Sequence, residues 1–211
     1  VSLPRIFLFI NIDMSPYKIL QCPNYQKINK QILEFLRTHT DLLDKTPRLY
    51  TNFQDIKLFI KKCPALLEWC IEMGMIPRDV YFSYCGSRGL HFGKFGNSPC
   101  PIHLDRPPVN WKMNWPVLNM EGSCVRFFKT LVEGVDPVDL AKEGGIPGSK
   151  AETHYSLSYE PFEEMTRHNF SKNEPILMNG SIPHDVGLYD DAKFPRLGIQ
   201  MMFVKEPTHL L

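Results

Sequence analysis

The chain is expected to fold as a mainly β (α+β) protein, a sandwich or jelly roll carried on N-terminal helices. Three observations lead there. From residue 79 onward, short runs rich in aromatic and β-branched residues recur about every ten residues, divided by turn-forming Gly, Pro, Asn and Ser. Before that point the apolar residues fall at helical spacing instead. Finally, eighteen prolines and thirteen glycines are spread along all 211 residues rather than collected in a linker, as a fold with many turns requires. With 43% hydrophobic content the chain can bury one sizeable core. It is therefore read as a single domain over 1–211, with a helical support region (1–78) and a β core (79–204).

Taken in order, residues 6–12 are an apolar run of strand length, far too short to cross a bilayer and lacking the cleavage site of a signal peptide. Between 24 and 43, Ile28, Ile32, Phe35, Leu36, Leu42 and Leu43 make one buried stripe of a helix. A second helix covers 53–62. A third begins at Pro64, a favoured first-turn position, and stops near Gly74. Strands follow at 79–85, through His103, and at 111–119, 124–132, 153–160, 174–180 and 196–204. The glycines of 86–99 make a long turn, 133–152 is a Gly/Pro/charge-rich surface loop, and polar 161–169 reads as a short helix.

Composition points to no particular macromolecular partner. A net charge of +1 gives no clear signal for nucleic acid or an anionic membrane. Six cysteines without a CxxC pair predict reduced thiols and a cytoplasmic protein. Cys100 and His103 form a C-x-x-H pair, but no second pair of zinc-site spacing accompanies it. No internal repeat or low-complexity tract is present.

The chemistry is concentrated in "SPCPIHLDRPP", 98–108. Its prolines forbid a helix, and on a strand His103 and Asp105 project from one face. His184 follows 79 positions after Asp105, and Arg196 lies twelve further on, entering the last apolar strand. Two imidazoles and one carboxylate on one side of a metal, the other side open, is the arrangement used for non-haem Fe(II). An Arg offers a permanent, fork-shaped cation for a carboxylate. With "PIHLDRPPVNWKMNWPVLNMEGS" and "PILMNGSIPHDVGLYDDAKFPRLGIQMMF", the chain resembles the 2-oxoglutarate/Fe(II)-dependent dioxygenases over roughly 79–204, and looks like their aspartyl/asparaginyl β-hydroxylase-like and phage-type branches.

That resemblance implies a double-stranded β-helix (a cupin-like jelly roll), Fe(II) as metal, 2-oxoglutarate as cosubstrate and O₂ as oxidant. The implied reaction hydroxylates a substrate and releases succinate and CO₂. By position, His103, Asp105 and His184 would be the metal ligands and Arg196 the partner of the distal carboxylate of 2-oxoglutarate. Asn114 and Lys112 would be further cosubstrate contacts, although they stand where the β-hydroxylase-like branch carries His and Arg. Gly198 stands where several branches carry serine. His154, on a predicted strand, is a rival third ligand; His39, His91 and His168 are read as structural or exposed, and His209 as frayed. Only one of Tyr81 and Tyr84 can share the metal's side. Arg88, Lys94, Arg106 and Lys112 near the expected mouth suggest an anionic small molecule or peptide side chain as substrate, with the loops 86–99 and 133–152 as its walls. A different class remains open: a cupin-like metal-binding or non-catalytic binding module. So does a metal-dependent isomerase or hydrolase on the same barrel.

Overall fold

Strand-forming runs that repeatedly change sheets set the architecture. The computed structural model describes residues 15–39, 48–52, 55–86, 100–105, 110–133, 142–143, 154–156 and 161–211. Among them lie β1 (Tyr17–Ile19), β2 (Arg48–Asn52), β3 (Pro77–Cys85), β4 (Cys100–Asp105), β5 (Trp111–Leu118), β6 (Ser123–Thr130), β7 (Lys142–Glu143), β8 (His154–Ser156), β9 (Phe162–Asn169), β10 (Ile176–Asn179), β11 (His184–Leu188) and β12 (Arg196–Phe203). They form two six-stranded sheets, ordered β1-β10-β5-β12-β3-β2 and β7-β8-β4-β11-β6-β9. Every pairing is antiparallel. From β3 to β6, and again from β9 to β12, each successive strand lies in the other sheet.

Alternation along β5 divides its side chains. Met113, Trp115 and Val117 face the outside of the first sheet and join Val80, Phe82, Leu197, Ile199 and Met201 in the main core. Three helices cover that face: α1 (Tyr25–Arg37), α2 (Ile56–Lys62) and α3 (Pro64–Glu72). Tyr25 stacks on Trp115 at 4.7 Å, and Trp69 meets the same indole edge-on at 5.5 Å. Phe59 meets both Phe35 and Phe82 edge-on. Aromatic contacts of this kind add to area burial.

The helices begin and end for local reasons. Asp55 caps α2 by accepting the Leu58 N–H at 2.9 Å. Cys63 ends α2 and precedes Pro64, which opens α3. Past α3, Gly74 takes a left-handed φ of 68°, and any side chain there would also strike the His209 ring.

The inner faces of the two sheets pack against each other around a smaller apolar cluster, Met120, Val125, Phe127, Phe170, Ile176 and Met178. Tyr17 of the first sheet stacks on Phe127 of the second at 5.8 Å.

Several expectations need correction. Residues 161–169 are not a helix: β9 spans Phe162–Asn169 and pairs with β6. Polarity there reflects a half-exposed strand, with Phe162 and His168 buried and the charged side chains between them largely outside. The strands β1, β2, β7 and β11 are not among the expected ones, β7 falling within the expected loop 133–152; each is five residues or fewer, too short for periodicity to register. α1 ends at Arg37 rather than 43, and α2 starts at Ile56 rather than 53. The expected strand at 6–12, the turn at 87–99 and most of the loop at 133–152 lie outside the described residues.

Candidate metal centre

His103 and His184 sit directly opposite each other on the neighbouring antiparallel strands β4 and β11. Cross-strand partners share a face, and Asp105, two residues along β4, shares it too. The register then slips: Cys100, not Pro101, faces Val186. Such bulges re-aim side chains, and Pro101 has no N–H to give the ladder.

The result is a convergence. One ligand-capable atom from each of His103, Asp105 and His184 lies within 4.8 Å of the others. All three residues are buried, at 4%, 6% and 2% exposure, which is rare for a carboxylate without a compensating charge. The two imidazole rings are 4.2 Å apart between centroids. His184 Nδ1 lies 2.8 Å from the Ile182 carbonyl. A carbonyl only accepts, so Nδ1 carries the proton and Nε2 presents its lone pair. Nε2 faces Asp105 Oδ2 at 3.9 Å.

Gly180, which sequence reading did not single out, and Lys112, which it did, both adjoin the carboxylate. The Asp105 N–H donates to the Gly180 carbonyl at 2.9 Å, and the Gly180 N–H donates to the Asn110 carbonyl at 2.6 Å. A Cβ on Gly180 would run into Asp105 Oδ2 and come within 2.8 Å of its Cγ. The glycine is needed for space rather than for an unusual φ. Across the sandwich, the Lys112 ammonium lies 2.6 Å from Asp105 Oδ2, the two side chains being 1% and 4% exposed. Lys112 was expected near the mouth, facing a substrate; instead it is buried against the triad.

Arg196 is also interior, at 4% exposure. Its Nε–H donates to Ser123 Oγ at 2.9 Å, and its guanidinium lies over the Phe170 ring at 5.6 Å. Ser123 in turn donates to the Met120 carbonyl at 2.5 Å. Arg196, Asn114, Ser83, Gln200 and Phe170 line a cavity of about 20 Å³, roughly the room of one water. β5 links the two sites: Lys112 reaches the triad, and Asn114, two residues on, lines the Arg196 cavity. Asn114 Nδ2 also contacts Met178 Sδ at 2.7 Å. A Cβ on Gly198 would approach Met120 Cε at 3.2 Å, so any side chain there would crowd this cavity. Tyr84 packs with the helix-side core, which leaves Tyr81 on the inner face, in a row with Gln200 and Asn114.

The other histidines fall elsewhere. β8 places His154 at the register position opposite Asp105. His168 is buried between Tyr17 and Phe170, and burial pushes its pKa down, partly offset by Glu174. His39 stacks on Phe35 at 4.2 Å. His209 is not frayed: its Nε2 lies 2.9 Å from the Met73 carbonyl. His91, Arg88, Lys94 and Arg106 lie outside the described residues. Burial raises the thiols of Cys63 and Cys70 to about 12 and that of Cys22 to about 11, which makes them poor ligands.

Two imidazoles and one carboxylate, buried and with one imidazole's tautomer fixed by a carbonyl, fit a divalent transition metal. No protein-family model and no curated protein matches the chain. Among solved structures it is similar to HygX from Streptomyces hygroscopicus with nickel and 2-oxoglutarate bound, at 11% identity and a TM-score of 0.45, over 95% of this chain and 86% of that one. A Pseudomonas putida prolyl-4-hydroxylase matches at 11% identity and 0.42, over 90% and 93%. E. coli ycfD matches at 13% and 0.40 over 76% of this chain, which spans about a third (34%) of its length. At such values the likenesses carry no argument about activity, which must come from the site. No helix among the described residues is long and apolar enough to cross a membrane.

Proposed function

We propose that the chain is an Fe(II)- and 2-oxoglutarate-dependent dioxygenase on a double-stranded β-helix. One observation carries the reading: three side chains far apart in sequence, His103, Asp105 and His184, converge within 4.8 Å inside the sandwich. The alternation of successive strands between sheets, from β3 to β6 and β9 to β12, supports the fold.

In this reading His103, Asp105 and His184 would hold the iron. Iron and 2-oxoglutarate, when bound, supply the oxidation: O₂ is consumed, 2-oxoglutarate becomes succinate and CO₂, and one oxygen atom is inserted into a substrate C–H bond. Arg196, fixed by Ser123, pairs with the distal carboxylate of the cosubstrate. Asn114 and Lys112 are further polar contacts along β5. Burial of the triad excludes water from the reacting atoms. The cavity beside Arg196 is too small for a five-carbon dicarboxylate, so Met120 or Phe170 must move to admit it.

That small cavity also favours a second reading, a metal-binding module on the same fold without turnover. Fe(II) and 2-oxoglutarate mixed anaerobically with the protein should give the visible charge-transfer band of a chelated complex, and in air should yield succinate. Absence of both, with metal still bound, supports the module instead. His103→Ala and Asp105→Ala should lose metal, whereas Arg196→Ala should keep metal and bind 2-oxoglutarate at least tenfold more weakly. Metal retained by His184→Ala and lost by His154→Ala would reassign the third ligand.

A further inference from the structure

A divalent cation is not the only cation this site accommodates. The Lys112 ammonium contacts the Asp105 oxygen that also faces His184 Nε2: Oδ2 lies 2.6 Å from Lys112 Nζ and 3.9 Å from that nitrogen. The same Oδ2 lies close against Gly180, where an added methyl group would collide with it. Lys112 is itself set on the opposing sheet, in register with Met178 of β10.

We propose that Lys112 is a resident cation of the triad, which holds the Asp105 carboxylate when metal is absent and competes with metal for it. The inference rests on the metal-centre reading above. A buried carboxylate without a counter-charge is strongly unfavourable, and the ammonium removes that penalty before any metal arrives. The same ammonium is a liability once a dication enters. Like charges a few ångströms apart in a buried site repel with little screening, so the flexible four-carbon stem of Lys112 must carry the ammonium off Oδ2. Lys112 therefore stabilises the metal-free protein and weakens its affinity for metal. A lysine serving only to pack the sandwich would leave metal affinity unmoved.

Titration with Mn(II) alone, read by the electron paramagnetic resonance of free Mn(II) at fixed pH and ionic strength, separates these cases. Lys112→Met should bind Mn(II) at least fivefold more tightly than the unaltered protein. Its melting temperature without metal should fall, and its gain in melting temperature at saturating Mn(II) should exceed that of the unaltered protein. A tightening of less than fivefold, or a weakening, overturns the competition while leaving the metal centre standing. Failure of the unaltered protein to bind Mn(II) overturns both. Should Lys112→Met not fold, the side-chain ammonium resonance of Lys112 in the ¹⁵N-labelled unaltered protein takes its place. Loss or displacement of that signal at one equivalent of Zn(II) supports the proposal, and an unchanged signal with zinc bound overturns it.

Discussion

Gly180 tests the site at the scale of a single residue. Its backbone carbonyl accepts the Asp105 N–H, and its missing side chain leaves the space that the Asp105 carboxylate fills. Gly180→Ala would force Asp105 off its present rotamer, at a cost of about 0.5–1.5 kcal/mol, and would turn Oδ2 away from His184. The expected outcome is Mn(II) binding weakened at least tenfold, with a melting temperature lowered by only a few degrees. Calorimetric titration and thermal melts on the same sample check it. Metal affinity equal to that of the unaltered protein would mean that Asp105 does not need its present pose. None of this is visible in "ILMNGS", where an Asn-Gly pair reads as turn chemistry. A glycine required by a distant carboxylate leaves no local mark.

At the scale of elements, the parts of the site that were legible are those whose local pattern and tertiary role agree. H-x-D on a proline-rich strand puts two ligands on one face whatever lies around it, and β4 keeps that spacing. The long apolar strands β5 and β12 are buried along nearly their whole length, so composition alone revealed them. β11 was hidden because its outward face carries a charge. Asp185 points away from His184, yet is fully buried, and Arg126 of β6 grips it with two bonds of 2.8 and 2.5 Å. The two residues are direct register partners, so this fork fixes which residue of β11 faces inward; a one-residue slip would turn His184 out of the site. Arg126→Met would take this two-bond fork away from the buried Asp185, and unfolding in urea should show a loss of about 2–4 kcal/mol. A loss below about 0.5 kcal/mol, the scatter of ordinary surface changes, would show that the fork does not hold the strand.

For the whole molecule, the question is where the cohesion lies. Among the described residues, the sandwich interior holds the triad, the Lys112 that pairs with its Asp105, Arg196 and a small apolar cluster. Most buried apolar side chains lie on the far side of the first sheet, under α1, α2 and α3. The segment before β3 also supplies both edge strands of that sheet, β1 and β2. Support (1–78) and core (79–204), read as parts of one domain, are therefore expected to depend on each other for stability. A chain begun at Pro77 would expose Phe82, Met113, Trp115, Leu197, Ile199 and Met201, all at most 1% exposed apart from Leu197 at 3%. At about 1.5–3 kcal/mol for each, these six side chains alone rival the roughly 5–15 kcal/mol by which whole domains are stable. That chain is expected to aggregate or to lack dispersed amide resonances, whether or not Zn(II) is added. A soluble, cooperatively melting product that binds one equivalent of metal would place the cohesion inside the sandwich instead, and would make the helices dispensable to the site they cover.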